Sequence, residues 1–350
     1  PLLLTGGTGW DDAGREALQK FAEANALPVA VTFRNQDLVD NDSPSYAGDA
    51  AIGKSAETKK LIAESDLLLA VNIRLGETTT DGYELLNPAT FDKKLIHIHP
   101  GEAEIGKVFT PVIGINSNPN LAMLALAGRS PVANPVWKAR TEAAHETWKQ
   151  SLNVPPQPGA VDMGKICEYL RANLPDDAII ANGAGNFAIW PGKHLHYSKG
   201  MRMLSPQAGA MGAGVPAAVM AKLVDPTRFV LCFAGDGDFQ MNCQELGTAM
   251  QHGAAPVILV LNNGMYGTIR MHQERDYPER VSGTVIENPD FAVLAQAYGM
   301  HGERVEKTED FEAAYEQACA SRTGGVIELV IDPEAIAPRM TISSLRAAAV

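Results

Sequence analysis

Basic residues are scarce in this chain. Across 350 positions, 29 lysines and arginines face 41 aspartates and glutamates, a formal net charge of −12. That balance excludes a nucleic-acid-binding surface, which needs clustered positive charge. The densest basic stretch, Lys193, His194, His196, Lys199 and Arg202, reads as a solvated loop. Cysteine is also sparse: Cys167, Cys232, Cys243 and Cys319 are scattered, without the paired spacing of a zinc site. Two of them fall inside an expected core unit, which points to reduced thiols and a cytoplasmic setting. No apolar run approaches the roughly 20 residues of a membrane span. No signal-peptide pattern opens the chain either, so a membrane is not an expected partner.

What is present is a globular composition, 45% hydrophobic, in a chain long enough for two domains. Short apolar runs alternate with helical stretches. In the first half the expected strands are 2–5, 28–32, 67–71 and 95–98, with helices over 15–25 and 58–64. In the second half they are 178–180, 229–234, 256–261 and 326–330, with Thr308 opening a helix before the last. This alternation predicts an α/β chain of two doubly wound parallel-sheet domains. Residues 1–130 form the first and 161–350 the second. Residues 131–160, with five prolines and a charged helical stretch from Lys138 to Lys149, read as the linker. Gly6-Gly7-Thr8-Gly9 follows the first strand but lacks the full glycine spacing and acidic residue of a dinucleotide fingerprint.

One pairing carries chemistry. Gly235-Asp236-Gly237 follows the strand 229–234, and Asn262-Asn263 follows the strand 256–261. Asn242 with Glu245 reads as a capping box for the helix between them, which Gly253 ends. Both polar clusters therefore sit at carboxyl ends of parallel strands, where open α/β sheets bind ligands. Asp236 can give a carboxylate oxygen, Asn263 an amide oxygen, and a backbone carbonyl just beyond it a third. Phosphate oxygens and a water would complete the octahedron that Mg²⁺ demands. The glycines let backbone N–H groups approach a diphosphate. Either half alone is an ordinary turn or loop; the spacing makes the pair informative.

These residues resemble the cofactor motif of the thiamine diphosphate-dependent enzyme superfamily, in its acetolactate synthase large-subunit and 2-oxoacid decarboxylase branch. Residues 205–218, rich in glycine and alanine, resemble the segment before that family's first buried helix, and 245–249 the helix inside the motif. The resemblance covers nearly the whole chain. It implies thiamine diphosphate and Mg²⁺ as cofactors, with Asp236, Asn263 and the Met265 carbonyl as metal ligands. Asn186, Gly209, Met211, Gly235, Gly237, Asp238, Tyr266 and Gly267 join these as implied cofactor contacts. Met211 takes the place of the apolar wedge under the bent cofactor, and Thr268 and His272 face the substrate side. Residues 270–284 are polar enough for a lid.

The implied reaction is decarboxylation or carboligation of a 2-oxoacid. A 2-oxoacid decarboxylase, a benzaldehyde lyase-type C–C lyase and a non-catalytic cofactor-binding subunit stay open as alternatives, as does, remotely, a nicotinamide oxidoreductase built on Gly6 to Gly9. Acetolactate synthases typically have Met and Trp where this chain has Thr268 and His272, and decarboxylases place a glutamate near Ile269. The substrate is therefore not fixed by the motif. The family's central domain binds FAD. Arg74 keeps a family arginine, but the following acidic pair is missing and His99 replaces an aspartate, both of which count against FAD. A homodimer or homotetramer is implied. The family's activating glutamate lies on an N-terminal pyrimidine-binding domain with no match here, and 1–7 resembles the start of the central domain. A fragment is expected, inactive alone, with that domain in the same gene or on a partner subunit.

Overall fold

The computed structural model describes residues 1–349 and shows two compact units, the first made of residues 1–151 and 197–199 and the second of the remainder. Each is built on a six-stranded sheet whose pairings are all parallel. In the first unit the strands are β1 (Leu2–Thr5), β2 (Val29–Val31), β3 (Tyr46–Asp49), β4 (Leu67–Val71), β5 (Lys94–His99) and β6 (Ile113–Asn116), ordered β3-β2-β1-β4-β5-β6. In the second they are β7 (Ile179–Asn182), β8 (Arg202–Leu204), β9 (Val230–Gly235), β10 (Val257–Asn262), β11 (His301–Val305) and β12 (Gly325–Val330), ordered β11-β12-β10-β9-β7-β8.

Both faces of the sheets are covered, so their inner strands carry apolar residues without alternation. Leu2 and Leu4 pack with Ile62 on one face of the first sheet, while Leu3 packs with Leu18 and Met123 on the other. In the second unit Val230, Cys232 and Ala234 meet Val219, Leu246 and Phe291 from the covering helices. This is the doubly wound architecture expected.

Sheet order places a ligand crevice. In the second unit β7 leads to β8 on one side, whereas β9 leads to β10 on the other. The switch point therefore lies between the carboxyl ends of β7 and β9, the place where open α/β sheets take ligands.

Several local expectations need correction. Asn242 is not an N-cap: a helix starts directly at the motif, Asp236–Asn242, and Asn242 is its last residue. The next helix, Glu245–His252, begins from Gln244 with no side-chain cap. Asn242 instead donates from Nδ2 to the Gly212 carbonyl at 2.8 Å, a tertiary bond that local pattern cannot show. Gly253 does end that helix, in the left-handed region at φ 69°. Thr308 likewise bonds away from the helix it precedes, donating to the Ala160 carbonyl and accepting from the Asp162 N–H.

The helix Lys138–Ser151, read as part of a linker, packs on the first unit. His145 Nδ1 lies 2.9 Å from the Tyr46 carbonyl, Trp148 meets the Tyr46 ring edge-on, and Thr141 donates to the Ala26 carbonyl. His194, read as solvated, is only 4% exposed; its ring lies 5.4 Å from that of Trp190, and burial lowers its pKa to about 4.

Candidate active site

Asp236 is set by register. Gly235, the last residue of β9, pairs with Leu261 on β10, so Asp236 leaves the sheet beside Asn262 and Asn263. Gly235 and Gly237 on either side are there for want of space. A Cβ on Gly235 would meet the Phe187 ring at 2.6 Å, and one on Gly237 the Tyr266 ring at 2.6 Å.

The Asp236 carboxylate is 3% exposed. Its Oδ1 accepts from the Gly237 N–H at 2.8 Å and its Oδ2 from Asn288 Nδ2 at 2.7 Å, while the N–H groups of Gly264 and Met265 also face it. Burial nevertheless raises its pKa, because among the described residues no cationic group stands beside it. A buried carboxylate with amide donors and no cation suits a bound divalent ion.

Across from it, Asn263 Oδ1 accepts from the Met265 N–H at 3.3 Å. Met265 forms an antiparallel bridge with Val285, yet both bonds of that bridge come from its neighbours: Ile286 N to Gly264 O and Tyr266 N to Thr284 O, each 2.9 Å. The Met265 carbonyl is thus turned away from the bridge and left for a ligand. The residues present therefore fit a six-coordinate cation: one carboxylate, one amide oxygen and one backbone carbonyl.

The switch-point crevice adds a second set. Asp238, 2% exposed, accepts through Oδ1 from the Ala184 N–H at 3.0 Å and the Gly212 N–H at 2.9 Å. One carboxylate thereby ties the loop after β7 to the glycine-rich turn before the helix Gly214–Val224. Its Oδ2 and Asn182 Oδ1 are buried without a partner among the described residues, and burial raises the Asp238 pKa. Orphaned buried oxygens at a crevice fit a site whose ligand supplies the missing contacts. Gly209 and Gly212 turn the chain at φ 77° and 79°, leaving Met211 half-buried between them.

Asn186 and Thr268 also come together. Thr268 Oγ1 donates to Asn186 Oδ1 at 2.9 Å, and Asn186 Nδ2 donates to the Ile336 carbonyl at 3.0 Å. His272 lies one turn beyond Thr268 on the helix Gly267–Asp276 and is exposed. That helix occupies the first part of the stretch read as a lid. It is pinned by Glu274, whose side chain is fully buried and ion-paired to Arg270 and Arg346 at 2.7 Å each. The Arg346 and Arg270 partners and the Glu279 N–H hold the Glu274 pKa down to about 2.

Family profiles agree with this geometry. The profile described as "Thiamine pyrophosphate enzyme, C-terminal TPP binding domain" matches residues 183–329, and that of the "central domain" matches 1–126. The chain belongs to the thiamine pyrophosphate enzyme family.

Its sequence is similar to that of acetolactate synthase large subunits. It is 30% identical over 335 residues to that of Parasynechococcus marenigrum (strain WH8102), covering 94% of this chain and 54% of the relative. The isozyme 2 large subunit of Escherichia coli (strain K12) is 28% identical over 337 residues, 95% of this chain and 60% of the relative. The large subunit of Cyanidium caldarium is 27% identical over 340 residues, 95% and 57%. The chain thus spans somewhat over half the length of these curated relatives.

Two members of the polar network of this thiamine pyrophosphate enzyme escaped sequence reasoning. Asn288 donates from one Nδ2 to Asp236 Oδ2 and to Asn262 Oδ1. Glu328, fully buried on β12, accepts from Asn262 Nδ2, Arg304 Nη1 and the Phe291 N–H. The signal for Glu328 was a charge inside an apolar strand; that for Asn288 was only an Asn-Pro pair before a helix cap.

In the first unit, a cavity of about 200 Å³ is lined by Arg74, Tyr83, His97, Glu104, Lys107 and Phe109. Arg74 and Lys107 lie 3.8 and 3.1 Å from the Glu104 carboxylate, so their charge is already met. The volume falls below the roughly 300–1,000 Å³ of usual cofactor pockets.

Proposed function

We propose that this thiamine pyrophosphate enzyme acts, like the acetolactate synthases its relatives are named for, on a 2-oxoacid, by decarboxylation and carboligation with Mg²⁺ as the second cofactor. The observation that carries this reading is Asp236, buried at the end of β9 among amide donors with, among the described residues, no cation beside it, on the same loop ends as Asn263 and the Met265 carbonyl.

Asp236, Asn263 and the Met265 carbonyl would hold the cation, and the cation the diphosphate. The loops at 183–186 and 209–212, held by Asp238, would supply N–H groups to the phosphate oxygens. Met211, between two left-handed glycines, would support the ring system from below. Thr268, oriented by Asn186, and exposed His272 would face the substrate. When bound, thiamine diphosphate supplies the electron sink for a decarboxylating 2-oxoacid. A homodimer or homotetramer belongs to the same proposal.

Thermal melts of the intact chain test it. Thiamine diphosphate with Mg²⁺ at about 100 times the dissociation constant should stabilise by about 2.7 kcal/mol. Asp236→Ala should fold without cofactor and lose that shift. Equal shifts for both proteins would sink the assignment.

A further inference from the structure

Asp236 could turn about its side-chain bonds, and cation binding by one carboxylate depends on which way its oxygens point. The Gly237 N–H holds Oδ1 from within the motif, and a side chain outside the motif holds Oδ2. Asn288, on the loop between the Met265–Val285 bridge and the helix Phe291–Tyr298, reaches Asp236 Oδ2 with Nδ2 at 2.7 Å. The same nitrogen reaches Asn262 Oδ1 at 2.8 Å, spanning the ends of β9 and β10.

Asn288 is itself held. Its Oδ1 accepts from Gln240 Nε2 at 2.7 Å, on the helix that starts at Asp236. Asn262 is in turn held by Glu328, 2.7 Å from its Nδ2, and Arg304 on the edge strand β11 neutralises Glu328 at 2.9 Å. A continuous polar chain therefore runs Arg304–Glu328–Asn262–Asn288–Asp236, with each member bonded to the next. Such a chain restricts rotation at its last member far more than a solvated partner would.

We propose that Asn288 is a positioning residue for the cation: it locks Asp236 in the one orientation that presents a carboxylate oxygen to Asn263 and the Met265 carbonyl. This rests on the proposed function above and adds a residue outside the Gly-Asp-Gly and Asn-Asn motif. Partners that orient a metal-ligating carboxylate typically change metal affinity by about 10- to 100-fold when removed. Mg²⁺ demands near-ideal octahedral geometry, whereas Ca²⁺ tolerates irregular coordination. Loosening Asp236 should therefore penalise Mg²⁺ more than Ca²⁺, which general damage to the fold would not do.

The experiment is cation titration of the intact chain at saturating thiamine diphosphate. Bound Mn²⁺ is read by electron paramagnetic resonance, and Mg²⁺ and Ca²⁺ by competition. Asn288→Ala should weaken Mn²⁺ and Mg²⁺ about 10- to 100-fold, with a smaller loss for Ca²⁺ and a broadened bound-Mn²⁺ spectrum. Gln240→Ala, at an exposed position, loosens Asn288 without touching the carboxylate and should shift selectivity in the same direction to a lesser degree. Unchanged Mn²⁺ binding in Asn288→Ala, or equal losses for Mg²⁺ and Ca²⁺ in both variants, overturns the role of Asn288. Wild-type chain binding Mn²⁺ no better than Asp236→Ala would overturn the cation site itself, and with it the proposed function.

Discussion

At the scale of single residues, the site depends on groups that lack something. Gly183 lacks a Cβ, and one built there would stand 2.2 Å from Asp238 Oδ2. Gly183→Ala should force that carboxylate off the Ala184 and Gly212 N–H groups it now joins. Overpacking of this kind costs about 1–3 kcal/mol, so melting should fall by several degrees and the cofactor-induced shift should shrink. A variant that melts and binds cofactor as wild type would show that the loops do not need Asp238. The motif residues were legible because their chemistry is written locally: a carboxylate between glycines, an amide pair after an apolar run. Asn288 was not legible, since it meets Asp236 only through a contact 52 positions apart. Asn242 misled for the converse reason, a good local cap whose amide found the distant Gly212 carbonyl instead.

At the scale of elements, the C-terminal helix Ile342–Ala349 is clasped to the helix Gly267–Asp276 by Glu274. Ile342 and Leu345 also pack against Met265, whose carbonyl is a proposed cation ligand. Glu274→Ala leaves Arg270 and Arg346 without their shared carboxylate and opens a gap. Amide exchange over 342–349 and 267–276 should quicken by at least about tenfold, the equivalent of 1.4 kcal/mol, while the core strands hold their protection. No change in either helix would remove the clasp. The sign of its pH dependence follows from the depressed pKa: the ion pairs stabilise fully above about 4.5 and are lost as pH falls toward about 2.

Strands divide the same way between legible and hidden. All eight inner strands follow from apolar runs, because burial on two faces favours apolar residues, with Glu328 on β12 a hydrogen-bonded exception. The four that pattern missed, β3, β6, β8 and β11, are the four sheet edges. An edge needs less apolar cover, and every residue of β6 is exposed. The pairing of Met265 with Val285 was equally hidden, since one isolated bridge has no period to read.

At the scale of the whole molecule, acid stability should carry the mark of His194. Its folded pKa of about 4 lies below the ordinary 6.5, so the unfolded chain binds the extra proton first. Stability should therefore be intact above pH 6.5 and fall as pH drops toward 4, by about 3 kcal/mol in total from this one group. His194→Gln should flatten that slope in chemical denaturation between pH 4 and 6.5; an unchanged slope would refute it. The sequence by itself determined the fold class, the inner strands and the family. Those features depend on local composition and short spacing, which the linear order of residues preserves. The tertiary structure decided which oxygens remain free, which carboxylate lacks a cation, and which distant amide aims it. Such properties belong to the packing of strand ends that meet only when the second sheet forms, and burial strengthens the polar contacts made there.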